Sequence, residues 1–278
     1  MTDLPANLHS VPGRLGATAL VDERGLVVEL EPQEEERHHG ALRASVVTFV
    51  VDVVAGVTLD TDPDAWTFTT DLTLRMRSAP APGRITAAGT ILRQGRRSAH
   101  VRVDVVDELG SAFATSALGF AHVPRKHGDP PKPIVSPQDL AARFSARDRL
   151  ERPLRDEAGI VSIDPSAGVV ELAVRPEVCN PAGTIQGAMV ALVAEAATED
   201  LLGSTGRPVV VTELDIRYLG QATVGPVRSR CQLLEADLST CPPVQVELID
   251  LATDRLTTLA YTRAVPAADG LGRGRRQP

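Results

Sequence analysis

The sequence predicts an α+β protein in which one unit, a long apolar helix followed by a run of antiparallel strands, occurs twice. Three observations point there. Displacing the chain by 147 positions lays Gly40 on Gly187, Ala41 on Ala188, Ala44 on Ala191, Val46 on Val193, Gly56 on Gly203 and Thr58 on Thr205. Polar positions follow the same displacement, Gln33 falling on Asn180, His39 on Gln186, Thr48 on Glu195 and Asp52 on Glu199. After each helical stretch the same succession of strand candidates returns at a displacement of 142, with Leu72 on Leu214, Arg75 on Arg217, Gly83 on Gly225 and Leu92 on Leu234. The difference between the two displacements falls in the loop at Asp60 to Ala65, where insertions are easily absorbed.

Gly16 to Glu31 reads as two short strands around a turn at Asp22-Glu23-Arg24-Gly25, LVVEL being the clearer. The stretch VVTFVVDVVAGV is rich in β-branched residues and, taken alone, fits a buried strand as well as a helix. Its counterpart GAMVALVAEAATEDLLG is built of good helix formers and ends in Gly, so both are assigned as helices, starting at His39-Gly40-Ala41 and Gln186-Gly187-Ala188. Strand candidates follow at Trp66 to Met76, Arg84 to Leu92, Ala99 to Asp107 and Ser111 to His122, parted by Pro- and Gly-bearing turns. Between the copies lies the proline-rich KHGDPPKP; Ser136 then offers an N-cap, Pro137 a first helical position and Asp139 a first-turn acid for a short connecting helix. The expected organisation is an N-terminal unit over 1–125, a linker with a short helix over 126–154, a C-terminal unit over 155–266 and a basic, frayed tail over 267–278.

Composition narrows the function classes. With 43% hydrophobic and 23% charged residues the chain is globular, and either unit can bury a core. A net charge of −7 and a scarcity of stacking aromatics argue against nucleic acid as a partner. The longest mainly apolar stretch, Val46 to Val57, contains Asp52 and is well short of the roughly 20 residues that span a bilayer, so no membrane span is expected. MTDLPANLHSVPG has neither the basic start nor the apolar core of a secretory signal. Cys179, Cys231 and Cys241 form no CxxC pair and no even framework, which fits a reducing cytoplasm. His38 and His39 have no second cluster at ligand spacing, so no metal is expected. Cys179 has no paired His in its copy and reads as a buried, inert thiol.

One long helix followed by a meander of long antiparallel strands, twice in one chain, resembles the hotdog fold in its fused, double form. Within it the second copy is similar to acyl-CoA thioesterases of the phenylacetate-pathway type. Their motif is an Asn or Gln, a Gly, then His-Gly-Gly, and an acid nine residues past the His; here it reads Asn180, Gly183, Gln186-Gly187-Ala188 and Glu195. The first copy has His-Gly-Ala, and Glu36 stands where Gly183 would have its counterpart. Thr69 is a hydroxyl as in some relatives, whereas its counterpart Val211 is not.

In such enzymes the two units share an active site, one giving a backbone N–H and an Asn or Gln at its helix start, the other a carboxylate. The resemblance therefore implies a catalytic site of Glu195 with Gln33, His39 and Gly40. A second, degenerate site would combine Asn180, Gln186 and Gly187 with Thr48, and Asp52, one turn from Thr48 on the same face, is the alternative acid there. Asp52 also aligns with Glu199, which suggests a structural role shared by the two. Arg96 and Arg97 lie where related enzymes bring a basic loop near the phosphates of CoA, although a solvated turn reads equally well. The reaction implied is hydrolysis of an acyl-CoA, with coenzyme A as part of the substrate and no other cofactor. The alternatives are a non-catalytic acyl-CoA or acyl-chain binding protein and, less supported, a hotdog hydratase or dehydratase. Exposed apolar sheet and edge surface favours further pairing into homodimers.

The physics of the site type agrees with this reading. Unpaired N–H groups at a helix start, backed by the helix dipole, stabilise an oxyanion. Glycine there permits close approach. A carboxylate partly removed from water can activate a nucleophile.

Overall fold

The computed structural model describes residues 10–23, 25–59, 62–78, 80–128, 149–180, 182–235 and 237–267. The connecting helix expected around Ser136 and the basic tail lie outside them. The first half runs β1 (Ala17–Asp22), β2 (Gly25–Leu30), β3 (Arg37–His38), β4 (Ala41–Leu42), α1 (Ala44–Leu59), β5 (Ala65–Met76), β6 (Ile85–Gln94), β7 (Ser98–Asp107) and β8 (Ala112–Pro124). The second runs α2 (Leu154–Ala158), β9 (Val161–Asp164), β10 (Val169–Leu172), α3 (Gly187–Gly203), β11 (Val209–Tyr218), β12 (Val227–Leu233), β13 (Val244–Asp250) and β14 (Arg255–Pro266).

All strands but β3 and β4 join one antiparallel sheet of 12 strands in the order β1-β2-β6-β7-β8-β5-β11-β14-β13-β12-β10-β9. Read outward from the β5–β11 pair, the order is the same in both directions, strand for corresponding strand. The seam is self-matching in register as well. Leu72 pairs with Ile216, Thr73 with Asp215 and Leu74 with Leu214. Thr73 and Asp215 are equivalents at the displacement of 142, so the pseudo-twofold axis passes between them. Arg75 ties the seam by donating to Leu214 O at 3.2 Å and by pairing with Glu213 at 3.2 Å. That ion pair is half-exposed, so its contribution is small.

Both long helices lie on the inner face and pack against each other. In α1, Val46, Val47, Val50, Val51 and Val54 are wholly buried. Burial of a Val-sized side chain is worth about 1.5–3 kcal/mol, which outweighs the few tenths per residue by which Val disfavours a helix. This is why a β-branched stretch is helical. Close approach of helix to sheet uses Gly89 on β6, where a Cβ would stand 3.0 Å from Val54 Cγ1.

Candidate active site at the crossing of the helices

The two helix starts differ from the sequence expectation in one half. His39 and Gly40, at φ 47° and 78°, form the two-residue turn of the β3–β4 hairpin. Positive φ at both central residues is the mark of a type I′ hairpin turn. The first helix therefore begins at Ala44, one turn later than expected, and the Gly40 N–H is not at a helix start. In the second half Gln186 is the N-cap and α3 begins at Gly187, as expected. The helices thus correspond at a displacement of 143, and Asp52 and Glu195 become equivalents, each the ninth residue of its helix. Each lies at the start of the other helix, and the two ends of this arrangement are chemically unlike.

At one end Glu195, 1% exposed, accepts from the Ala44 N–H at 2.8 Å, the Ser45 N–H at 3.3 Å and the Ser45 hydroxyl at 2.5 Å. It thereby satisfies the free N–H groups at the start of α1 and takes the favourable end of the helix dipole. Arg43, also buried, donates from one Nη to both oxygens of Glu199, at 3.1 and 2.9 Å, and lies 3.8 Å from Glu195. His38 Nδ1 accepts from Arg43 at 3.2 Å, and its Nε2 is 3.5 Å from Glu199. Burial, then the Arg43 charge, holds His38 down at about 3, so the ring is neutral and free to accept. Burial pushes the Glu199 carboxyl up to about 8 against the pull of Arg43, with Glu195 adding to the rise.

The residues expected to face Glu195 are elsewhere. Gln33 caps the short turn Glu34–Glu36, its N–H donating to Glu36 at 3.1 Å. His39 and Gly40 are exposed on the hairpin, with Gly40 O accepting from Ala81 N at 2.9 Å. Near the approach to α1 lies a small notch lined mainly by apolar groups, among them Leu42, Met76, Phe113 and Val211.

At the other end the acid is one methylene shorter and remains free of the helix backbone. Asp52 Oδ1 accepts from the Thr69 hydroxyl at 2.8 Å, and Oδ2 lies 3.4 Å from Gln186 Nε2. A bulge in β5 follows Thr69 in its pairing with β8; such bulges re-aim side chains. Gln186 serves two purposes, because its Oε1 also accepts from Ala188 N at 2.6 Å and so fixes the amide that points at Asp52. The Gly187 N–H has no hydrogen-bond partner among the described residues. A Cβ at Gly187 would stand 3.6 Å from Asp52 Oδ2 and 3.3 Å from the Tyr218 hydroxyl, which donates to Gly187 O at 3.2 Å. Burial raises the Asp52 carboxyl to about 6, opposed by the Thr69 bond. The Tyr218 phenol is pushed well above its ordinary value by burial and then by Asp52, so it remains protonated.

Several other expected residues surround this end. Asn180 accepts from Ala182 N at 3.0 Å and Thr184 N at 3.2 Å, holding the loop that leads into Gln186. Thr48 is wholly buried one turn before Asp52, its hydroxyl without a partner among the described residues. Arg96 and Arg97 are exposed on the β6–β7 turn. That turn is at the Thr69 end of the sheet, since Ala99 pairs with Phe120 and Phe120 with Thr69. Among the described residues no group of three or more His, Cys, Asp or Glu side chains is gathered as a metal site. No described helix is long and apolar enough to cross a membrane.

Three residues of these ends, Arg43, Ser45 and Tyr218, were not singled out by the sequence. Arg43 stands just before a helix, where a cation has no evident local purpose. Tyr218 ends a strand, and its one visible signal is a hydroxyl where the other copy has Met76.

No protein-family model and no curated protein matches the chain significantly. Solved structures do. The tesB protein of Mycobacterium avium subs paratuberculosis superposes with a TM-score of 0.62 at 12% identity, over 92% of this chain and 98% of that one. The 12:0-ACP thioesterase of Umbellularia californica gives 0.57 at 12% identity, over 86% and 96%. An acyl-ACP thioesterase from Bacteroides thetaiotaomicron gives 0.56 at 13% identity, over 86% and 97%. At such identities, what this chain shares with these proteins is their fold, along nearly its whole described length.

Proposed function

We propose that the chain is a tandem of two hotdog units, over 1–125 and 155–266 with the linker 126–154 between them, and that it hydrolyses an acyl-CoA thioester at Asp52. The observation that carries the reading is a half-buried carboxylate, oriented by Thr69 and Gln186, beside a helix start whose first N–H is unpartnered. The thioesterases among the matched structures support a thioester as the substrate class. In this reading Asp52 takes a proton from a water whose oxygen attacks the acyl carbonyl carbon. The Gly187 N–H, with the dipole of α3 behind it, receives the charge that develops on the carbonyl oxygen. Collapse breaks the carbon–sulfur bond, and the departing thiolate takes the proton from Asp52. Arg96 and Arg97 suit the CoA phosphates, since guanidinium recognises phosphate bidentately. Glu195 is assigned the structural task of capping α1, because its carboxylate already has three donors and Arg43 beside it.

The test is release of free thiol from a panel of acyl-CoA substrates of graded chain length. Turnover on at least one member is expected; binding without release would replace the enzyme by a carrier of acyl-CoA. The base must be ionised, and its carboxyl titrates at about 6, so kcat/KM is expected to fall as pH drops through that value. A limb at the ordinary carboxylate value of about 4 would count against Asp52 as the base.

A further inference from the structure

Resting on that reading, we infer that Tyr218 is a positioning residue for the Asp52 site: its ring shields part of the carboxylate from bulk water, and its hydroxyl anchors the first turn of α3. The hydroxyl donates to Gly187 O at 3.2 Å. The position of a Cβ at Gly187, 3.3 Å from that hydroxyl and 3.6 Å from Asp52 Oδ2, puts phenol and carboxylate both beside the first residue of α3. The ring is partly buried and packs on the apolar core. From α1, β5, α3 and β11 the groups gathered at this end are Asp52, Thr69, Gln186 and Tyr218, and no charge other than Asp52 acts on the hydroxyl among the described residues.

The closed end supplies the contrast. Met76 is the counterpart of Tyr218 there and Val211 that of Thr69, and both line the notch, while Glu195 is already bonded to α1. A hydroxyl at the end of the seam strand thus accompanies the open end alone. Its proton is held against loss by burial and by Asp52, so Tyr218 serves as a donor and never as a base in this site.

The experiment follows Asp52 itself, by ¹³C NMR of the carboxyl carbons in the full chain, its signal being the one missing from Asp52→Asn. No substrate is needed, so the result is separate from whether thiol is released. In Tyr218→Ala water reaches the carboxylate, and its midpoint should fall from about 6 by about one unit or more toward the ordinary value. In Tyr218→Phe the ring is kept, so the midpoint should stay while kcat drops about fivefold for one lost hydrogen bond. Should Tyr218→Ala fail to fold, Tyr218→Thr, suited to a strand, is read in the same way. An Asp52 midpoint that does not move in the Ala or Thr variant overturns the inference. A midpoint that moves in a protein releasing no thiol upholds the contact and removes the thioesterase reading beneath it.

Discussion

Replacing Asp52 by Asn should lower thiol release by about 10²-fold or more, the usual loss when a general base is removed, and should leave the protein at least as stable as before. The second half of that expectation follows from the sign of the carboxyl's shift. Folding raises Asp52 from 3.8 to about 6. Between those values the folded chain keeps a proton that the unfolded chain has given up, so stability falls as pH rises through the window and the loss is complete above it. The amide has the same size, can still accept from Thr69 and has no charge to desolvate. Near pH 7 it should relieve a cost on the order of 1–3 kcal/mol. Thermal melting beside the thiol assay checks both parts. Lost activity with a lowered melting temperature would mean a damaged fold rather than a missing base.

Arg43→Met should have the largest effect on stability. Arg43, Glu195 and Glu199 are 4%, 1% and 6% exposed, and two carboxylates depend on the one guanidinium. Removing one partner of a buried pair leaves uncompensated charge and costs about 3–5 kcal/mol. Without Arg43 the Glu199 carboxyl, already raised to about 8 by burial, would rise further. A raised acid gives stability that is present at low pH and lost as pH rises, so the damage should be greater at pH 8 than at pH 5. Urea unfolding at the two values measures it. Changing Glu199 to Met as well, which removes the buried charge, should recover much of the loss; no recovery would assign the effect to packing.

How the sequence misplaced the first helix start explains why it favoured Glu195. A displacement of 147 exceeds the structural 143 by four residues, close to one helical turn, so apolar positions keep their face and small residues still coincide. Nothing in periodicity distinguishes the two alignments. A signal for the correct one was present in the sheet, whose displacement of 142 needs almost no adjustment to meet 143. The β3–β4 hairpin hid the error, because two-residue strands leave no alternation to read and His39-Gly40 passes for a helix start.

The repeat and the long strands were legible because they rest on patterns many residues long. What decides between the two ends rests on single contacts. Glu195 carries one methylene more than Asp52 and reaches the backbone of the facing helix. Arg43 is drawn in by acids over 150 residues away in the chain. Tyr218 reaches Gly187 from the strand that follows α3. Thr69, a hydroxyl facing Val211 in the alignment, and Tyr218, facing Met76, were the local signs of which end is open.

The central claim is that only the Asp52 end of the pair is open for chemistry, and the most direct test is thiol release by Asp52→Asn and Glu195→Gln on the same acyl-CoA at pH 8. Asp52→Asn should be reduced about 10²-fold or more. Glu195→Gln should keep its kcat/KM within a few-fold of the parent at temperatures where it is folded. An active Asp52→Asn beside an inactive, folded Glu195→Gln would contradict the account and return catalysis to the other end.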